Sequence, residues 1–112
     1  AAARDAITDG YLRDRHCDPT VATCPTATLV TDVARAHASH PIRPAYVDGV
    51  REQINTLAKL QSSADPAGAR EAAWVQLATM MGALLLARAT HGDPISKEIV
   101  RAARAHLKKG RK

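Results

Sequence analysis

The stretch AAWVQLATMMGALLLARA, residues 72–89, holds no charge between Glu71 and Arg88, and Gln76 and Thr79 are its only strongly polar side chains. A helix at the surface of a small protein shows one apolar stripe and one polar face. A helix over this stretch is apolar nearly all the way round, so both of its faces need cover. A chain of 112 residues covers one face with its own helices, and the other is expected to meet a second copy of the chain. Spacing at about 100° per residue collects large side chains on one side: Trp74, Leu77, Met81, Leu84 and Leu85. The other side collects smaller ones, Val75, Ala78, Gly82, Ala83 and Ala89, with Leu86 among them. Large groups suit an internal core or a ligand cavity, and small ones suit close approach of helices. The alternative is that both sides are ordinary core.

Outward from this segment the pattern stays helical, and about five helices are expected. The first spans roughly Ala2 to Arg15, with Ile7, Tyr11 and Leu12 on one stripe. HCDPTVATCP breaks the pattern and reads as a loop. The second helix starts near Pro25, where proline suits a first turn, and stops at Ser39–His40–Pro41. Leu29, Val30, Val33 and Ala36 or His37 repeat along it at helical spacing. The third runs from about Pro44 to Gln61, with Tyr46, Val47, Val50, Ile54, Leu57 and Leu60 inward and Arg51, Glu52, Asn55 and Lys59 outward. The fourth runs from about Ala67 to Thr90. Gly92 suits a left-handed position after it, and Asp93 or Ser96 can cap the next helix. The fifth carries Ile95, Ile99, Val100, Ala103 and Leu107 to one side. Two antiparallel helices from each of two chains would close a four-helix interface. That interface is expected to hold Val75, Ala78, Gly82, Leu86 and Ala89 from the fourth helix and Ile95, Ile99, Ala103 and His106 from the fifth.

Composition agrees with an all-α domain. The chain has no Phe, one Trp and two Tyr, and it is rich in Ala, the strongest helix former. The size scaling gives a folded surface of roughly 6,000 Å² against about 17,000 Å² unfolded, enough for one modest core. The net charge is +5, and the tail Lys108, Lys109, Arg111 and Lys112 reads as a solvated charge run. Direct nucleic-acid contact by that tail is the sharper alternative, but too few aromatics are present for a stacking platform. No recognition-helix pattern is visible. The start AAARDAITDG has no apolar core of a signal peptide. The 72–89 run approaches the length of a membrane span, but its Ala content, Gln76, Thr79 and Arg88 argue against one, and no membrane partner is expected. Two cysteines, Cys17 and Cys24, do not make a disulfide scaffold, so a cytoplasmic setting is expected. The chain begins at Ala1 rather than Met, seemingly within a helix, and reads as part of a longer protein.

The segment WVQLATMMGALLLARATHGDPISKEIVRAARAHL, residues 74–107, resembles the last two helices of TetR-type transcriptional regulators. That family often shows a Trp- or Leu-rich helix, a GAL-LAR run, a DP turn and an S-EI start to an Ala-rich final helix. YLRDRHCDPTVATCPTATLVTDVAR, residues 11–35, resembles the loop and helix of one subgroup, in which a Cys–Pro pair opens a helix of small and aliphatic residues. With HPIRPAYVDGVREQINTLAKL, residues 40–60, the resemblance covers nearly the whole chain. Thr26 and Thr28 depart from it, since aliphatic residues are more typical after Cys24–Pro25. The resemblance implies the C-terminal regulatory half of a two-part protein. Its partners would be a second copy and a small-molecule effector of unknown identity, with DNA held only by an N-terminal helix-turn-helix domain absent from this chain. Repression, the family's common mode, is adopted on the resemblance alone.

An effector pocket would lie between the first four helices, lined by Tyr11, Leu29, Val33, His37, Tyr46, Val50, Ile54, Trp74, Leu77 and Met81. Such cavities are mostly apolar with a few polar anchors, here Tyr11, Tyr46, Trp74 and His37; core packing is the plainer reading of each residue. His16, Cys17, Asp18 and Cys24 share one loop but lack the spacing of a metal site. A redox pair of Cys17 and Cys24 remains the alternative use of that loop. No phosphate loop, nucleophile elbow or paired Glu-x-x-His is present, so no enzyme, catalytic residue, metal or cofactor is expected. The competing non-enzymatic reading is a stand-alone helical dimerisation module without ligand.

Overall fold

A computed structural model describes residues 2–21 and 24–109. Among these residues the chain is all-α, with six helices and no strand: α1 (Ala2–Tyr11), α2 (Pro25–Thr28), α3 (Val30–Arg35), α4 (Ile42–Lys59), α5 (Pro66–Ala89) and α6 (Pro94–Lys109). The helix expected over residues 67–90 is α5, and it is the hub, packed antiparallel against α4 and against α6. It starts where Asp65 accepts the Gly68 backbone N–H at 3.2 Å, with Pro66 in the first turn. It ends before Gly92, whose φ of 95° no residue with a side chain adopts easily. Asp93 then caps α6 by accepting the Ile95 N–H at 3.0 Å. Ser96 serves a different end: its hydroxyl donates to the Ala87 carbonyl at 2.9 Å and ties the turn back onto α5.

The buried face of α5 is Ala69, Ala73, Gln76, Leu77, Met80, Ala83, Leu84 and Ala87. The expected division into large and small sides is therefore redrawn. Ala83 and its alanine neighbours lie inside, where a short side chain lets helices approach, while Trp74 stands 42% exposed. Leu84 joins Leu12, Cys17, Ala27 and Val100 in one apolar cluster, and Leu77 and Met80 join Ile54, Leu57 and Leu107 in another. Full burial of each large aliphatic group contributes about 2 kcal/mol. By length and composition α5 also suffices to cross a membrane, yet its Gln76 is fully buried inside a polar knot. Gln76 Nε2 donates to the Arg4 carbonyl at 3.2 Å and to Thr8 Oγ1 at 3.1 Å. Its Oε1 accepts from Gln61 Nε2 at 2.8 Å. Arg4 Nε donates to Gln61 Oε1 and its Nη1 to the Leu107 carbonyl, both at 2.8 Å. One closed set of bonds thus joins α1, the end of α4, α5 and α6.

The sequence expectation misses three boundaries, one being the stop expected at Ser39–His40–Pro41, since α3 ends at Arg35 with Ala36 already extended. The first helix stops at Tyr11 rather than Arg15, because side chains occupy the carbonyls that further turns would use. The Leu12 carbonyl accepts from Arg104 Nη2 at 3.0 Å, and His16 Nδ1 lies 2.5 Å from the Tyr11 carbonyl. The second expected helix is two, broken at Leu29, which is the C-cap of α2 and the N-cap of α3. Thr26 and Thr28 make α2 a poor helix former, and Thr28 Oγ1 turns back onto the Cys24 carbonyl at 3.3 Å. The molecule measures 39 × 36 × 17 Å. Its surface of 7030 Å² exceeds the roughly 6,000 Å² expected for this mass. A slab this thin has room for little beyond the layer containing α5.

Candidate ligand-binding cleft

Four helices contribute to an open cleft of about 400 Å³, within the range of small-molecule sites. The last turns of α1 supply Ile7 and Tyr11, and α2 supplies Thr26. Gly49, Glu52, Gln53 and Thr56 follow at helical spacing along one side of α4. Leu57, Leu77 and Met80 bring the apolar core to its wall.

Two polar atoms of this lining are unusual. Gln53 Oε1 is shielded from solvent and without a hydrogen-bond partner, while Tyr11 Oη, equally shielded, has the Cys24 side chain as its hydrogen-bonding neighbour. Burial, followed by the neighbouring Cys24 sulfur, holds the Tyr11 proton well above the usual phenol range. The Tyr11 ring is fixed edge-on against His16, with centroids 4.7 Å apart. His16 Nε2 accepts the Cys24 N–H at 3.3 Å, so the neutral ring carries its proton on Nδ1 and donates it to the Tyr11 carbonyl. Gln53 Nε2 reaches the Cys24 sulfur at 3.8 Å. Burial alone would raise the Cys24 thiol, but hydrogen bonds from the Ala27 and Thr26 backbone, the Thr26 side chain and Gln53 outweigh it and set the thiol below its ordinary value. Burial, with Asp14 nearby, moves Cys17 the opposite way. Both cysteines are free thiols.

Of the ten residues expected to line a pocket, the cleft brings together Tyr11 and Leu77. Tyr46, Val50 and Trp74 line a second groove of about 360 Å³ between α4 and α5, beside Arg51 and Arg70. Tyr46 also donates its hydroxyl to the Thr26 carbonyl, and the Arg70 guanidinium sits 6.0 Å above the Trp74 ring. Ile54 is fully buried core, and Met81 packs half-buried against both apolar clusters. The break at Leu29 and the end of α3 at Arg35 separate Leu29, Val33 and His37. Leu29 is exposed, Val33 is buried in α3, and His37 lies at the surface with Nδ1 2.8 Å from Ser39 Oγ. The sequence pattern places Glu52 outward and assigns Gln53 and Thr56 to neither side of the helix. Their spacing along one line was the available signal, but only the approach of α1 turns that line into a wall.

The side of α5 away from the core is uncovered. Val75 and Leu86 are 50% and 56% exposed, with Ala78, Gly82 and Ala89 exposed along the same line. On α6, Ile95 is 47% exposed and His106 is exposed, while Ile99 and Ala103 are half-buried. The residues expected at a dimer interface are thus exposed on α5 but divided on α6, where Ile99 and Ala103 pack against the chain's own first apolar cluster. Basic residues are partly directed inward. Arg88 donates to the carbonyls of His16, Asp18, Pro19 and Val21 at 2.8–3.1 Å and clamps the loop after α1. Lys108 pairs with Asp9 at 2.9 Å, and Arg111 and Lys112 of the expected basic tail lie outside the described residues. Among the described residues no group of three or more His, Cys, Asp or Glu could hold a metal ion. No protein family, curated protein or solved structure matches this chain.

Proposed function

We propose that this chain is the effector-binding and dimerisation domain of a TetR-type transcriptional regulator, working as a repressor through an N-terminal helix-turn-helix domain outside it. The family rests on the resemblance in segment order. The observation that carries the mechanism is the placement of α5. Leu77 and Met80 face the cleft, while Val75, Gly82 and Leu86 lie along the uncovered strip of the same helix. A molecule seated in the cleft bears directly on a helix whose other face meets the second copy. The last two helices of each protomer then form a four-helix interface.

Binding shifts the regulator only by its differential affinity for two arrangements of the dimer. DNA half-sites about 34–36 Å apart leave little tolerance for a changed head separation, so a small displacement of α5 suffices. The role is binding rather than catalysis. Sedimentation equilibrium at tens of micromolar is expected to give twice the 11.9 kDa chain mass. Leu86→Glu, which places a carboxylate in the strip, is expected to give single-chain mass with helicity retained. A wild-type chain that stays monomeric would overturn the dimer, and with it the coupling.

A further inference from the structure

Apart from the cleft, we infer a second ligand site: the open groove between α4 and α5 binds a small aromatic monocarboxylate. One bond sets the register of the two helices there. Arg70 Nη1 on α5 donates to Asn55 Oδ1 on α4 at 3.0 Å. The helices run antiparallel, so the turn of α4 before Asn55 lies beside the turn of α5 after Arg70. Those turns bring up Arg51 and Trp74, and both line the groove of about 360 Å³ together with Arg70.

Three observations give the ligand its chemistry. Trp74 is the only tryptophan of the chain, and it is exposed in the groove rather than packed in the core. The wall facing it is apolar: Val47 and Val50 line it, and the Tyr46 hydroxyl is already engaged with the Thr26 carbonyl, so Tyr46 offers its ring. The third observation is charge. Both charged lining residues are arginines. Arg51 pairs with Asp48 at 3.2 Å, whereas Arg70 bonds the neutral Asn55, sits over the Trp74 ring and, among the described residues, pairs with no carboxylate. Two guanidinium groups and the Asp48 carboxylate leave a single net positive charge, which a monoanion balances. An organic cation meets like charge here, and an aliphatic acid forgoes the indole face. A flat aryl carboxylate answers both features. Its ring lies against Trp74 and the valines, and its carboxylate accepts from guanidinium N–H groups, of which each arginine carries more than Asn55 or Asp48 can use.

The test is an NMR titration of the full chain with 2-naphthoate, its uncharged analogue 2-naphthamide, and decahydro-2-naphthoate, which keeps the charge but has no π-face. The sole indole N–H resonance reports on Trp74, and the Ile7 and Met80 amides report on the cleft. The indole resonance is expected to move with 2-naphthoate, which should bind about fivefold more tightly than 2-naphthamide, the weight of one partly exposed charge pair. It should bind about threefold more tightly than the decahydro acid. Arg70→Gln, which can keep a bond to Asn55, should bring 2-naphthoate and 2-naphthamide within about twofold of each other, with unchanged circular dichroism as the check on folding. Arg51→Gln leaves Arg70 and Trp74 in place and should weaken 2-naphthoate about threefold. Equal affinity of acid and amide for the wild-type chain would overturn the anion, and equal affinity of the two acids would overturn the aromatic ring. Shifts at Ile7 and Met80 with the indole resonance unmoved would put the probe in the cleft and overturn the groove as its site. Failure of every probe to bind would overturn the groove site and leave the cleft reading as it stands.

Discussion

Gln76 and Gln53 are both glutamines packed into the interior of a helical layer, and they are treated in opposite ways. Gln76 is fully buried and uses both its amide nitrogen and its oxygen, bonding Arg4, Thr8 and Gln61 within one closed knot. Gln53 has a weak sulfur contact on one side and a solvent-shielded oxygen with no partner on the other. The first arrangement fixes the crossing of α1, α5 and α6. The second leaves one amide oxygen beside the cleft without a partner in the fold.

The largest expected effect is on the closed side. Gln76→Leu keeps the volume but removes three hydrogen bonds of the knot and leaves one Gln61 amide N–H without its acceptor, and urea unfolding is expected to show a loss of about 3 kcal/mol. A loss below about 1 kcal/mol would mean that the knot is incidental to the helix crossing. Arg88→Lys comes next. Lysine keeps the charge but cannot fork across four carbonyls, so a loss of about 2 kcal/mol is expected, with faster amide exchange confined to the loop after α1. Exchange that stays slow there would show the loop held by other contacts.

On the open side the effects are smaller and of a different kind. The Tyr11 phenol keeps its proton far above its ordinary value when folded. Stability from this group is therefore complete below the unfolded phenol pKa of about 10 and is lost as pH rises from there toward the folded value. Tyr11→Phe should change stability by less than about 1 kcal/mol at pH 7, since only a weak contact to the Cys24 sulfur is removed, and should flatten the loss above pH 10. An unaltered alkaline limb would contradict the buried phenol. The smallest expected difference is one of rate. Iodoacetamide should label Cys24 before Cys17 across pH 7–9, because the thiolate is the nucleophile and the two thiols are shifted in opposite directions. Faster labelling of Cys17 would reverse that order.

Much of the architecture was legible in the sequence. The uncharged run of residues 72–89 announces the central helix, and Asp65, Gly92 and Asp93 mark its end points by turn chemistry that needs no tertiary context. The strip from Val75 to Leu86 follows from helical spacing. The break at Leu29 was not legible, because Leu29 continues the helical spacing of apolar residues from α2 into α3. Nor was the inward use of Arg4, Arg88 and Arg104, whose acceptors are backbone carbonyls distant in sequence. The cleft was legible only at Tyr11 and Leu77. Its other polar members sit on a face of α4 that looks solvated until α1 is placed across it.

The most direct test of the contrast between closed and open polar sites is urea unfolding of Gln53→Leu beside Gln76→Leu at pH 7. The expected result is a split in sign: Gln76→Leu loses about 3 kcal/mol, whereas Gln53→Leu is unchanged or gains up to about 1 kcal/mol by removing an unpartnered oxygen. Comparable losses in both variants would show that Gln53 is bonded within the fold as firmly as Gln76, and the cleft would then hold no vacant polar group for a ligand to meet.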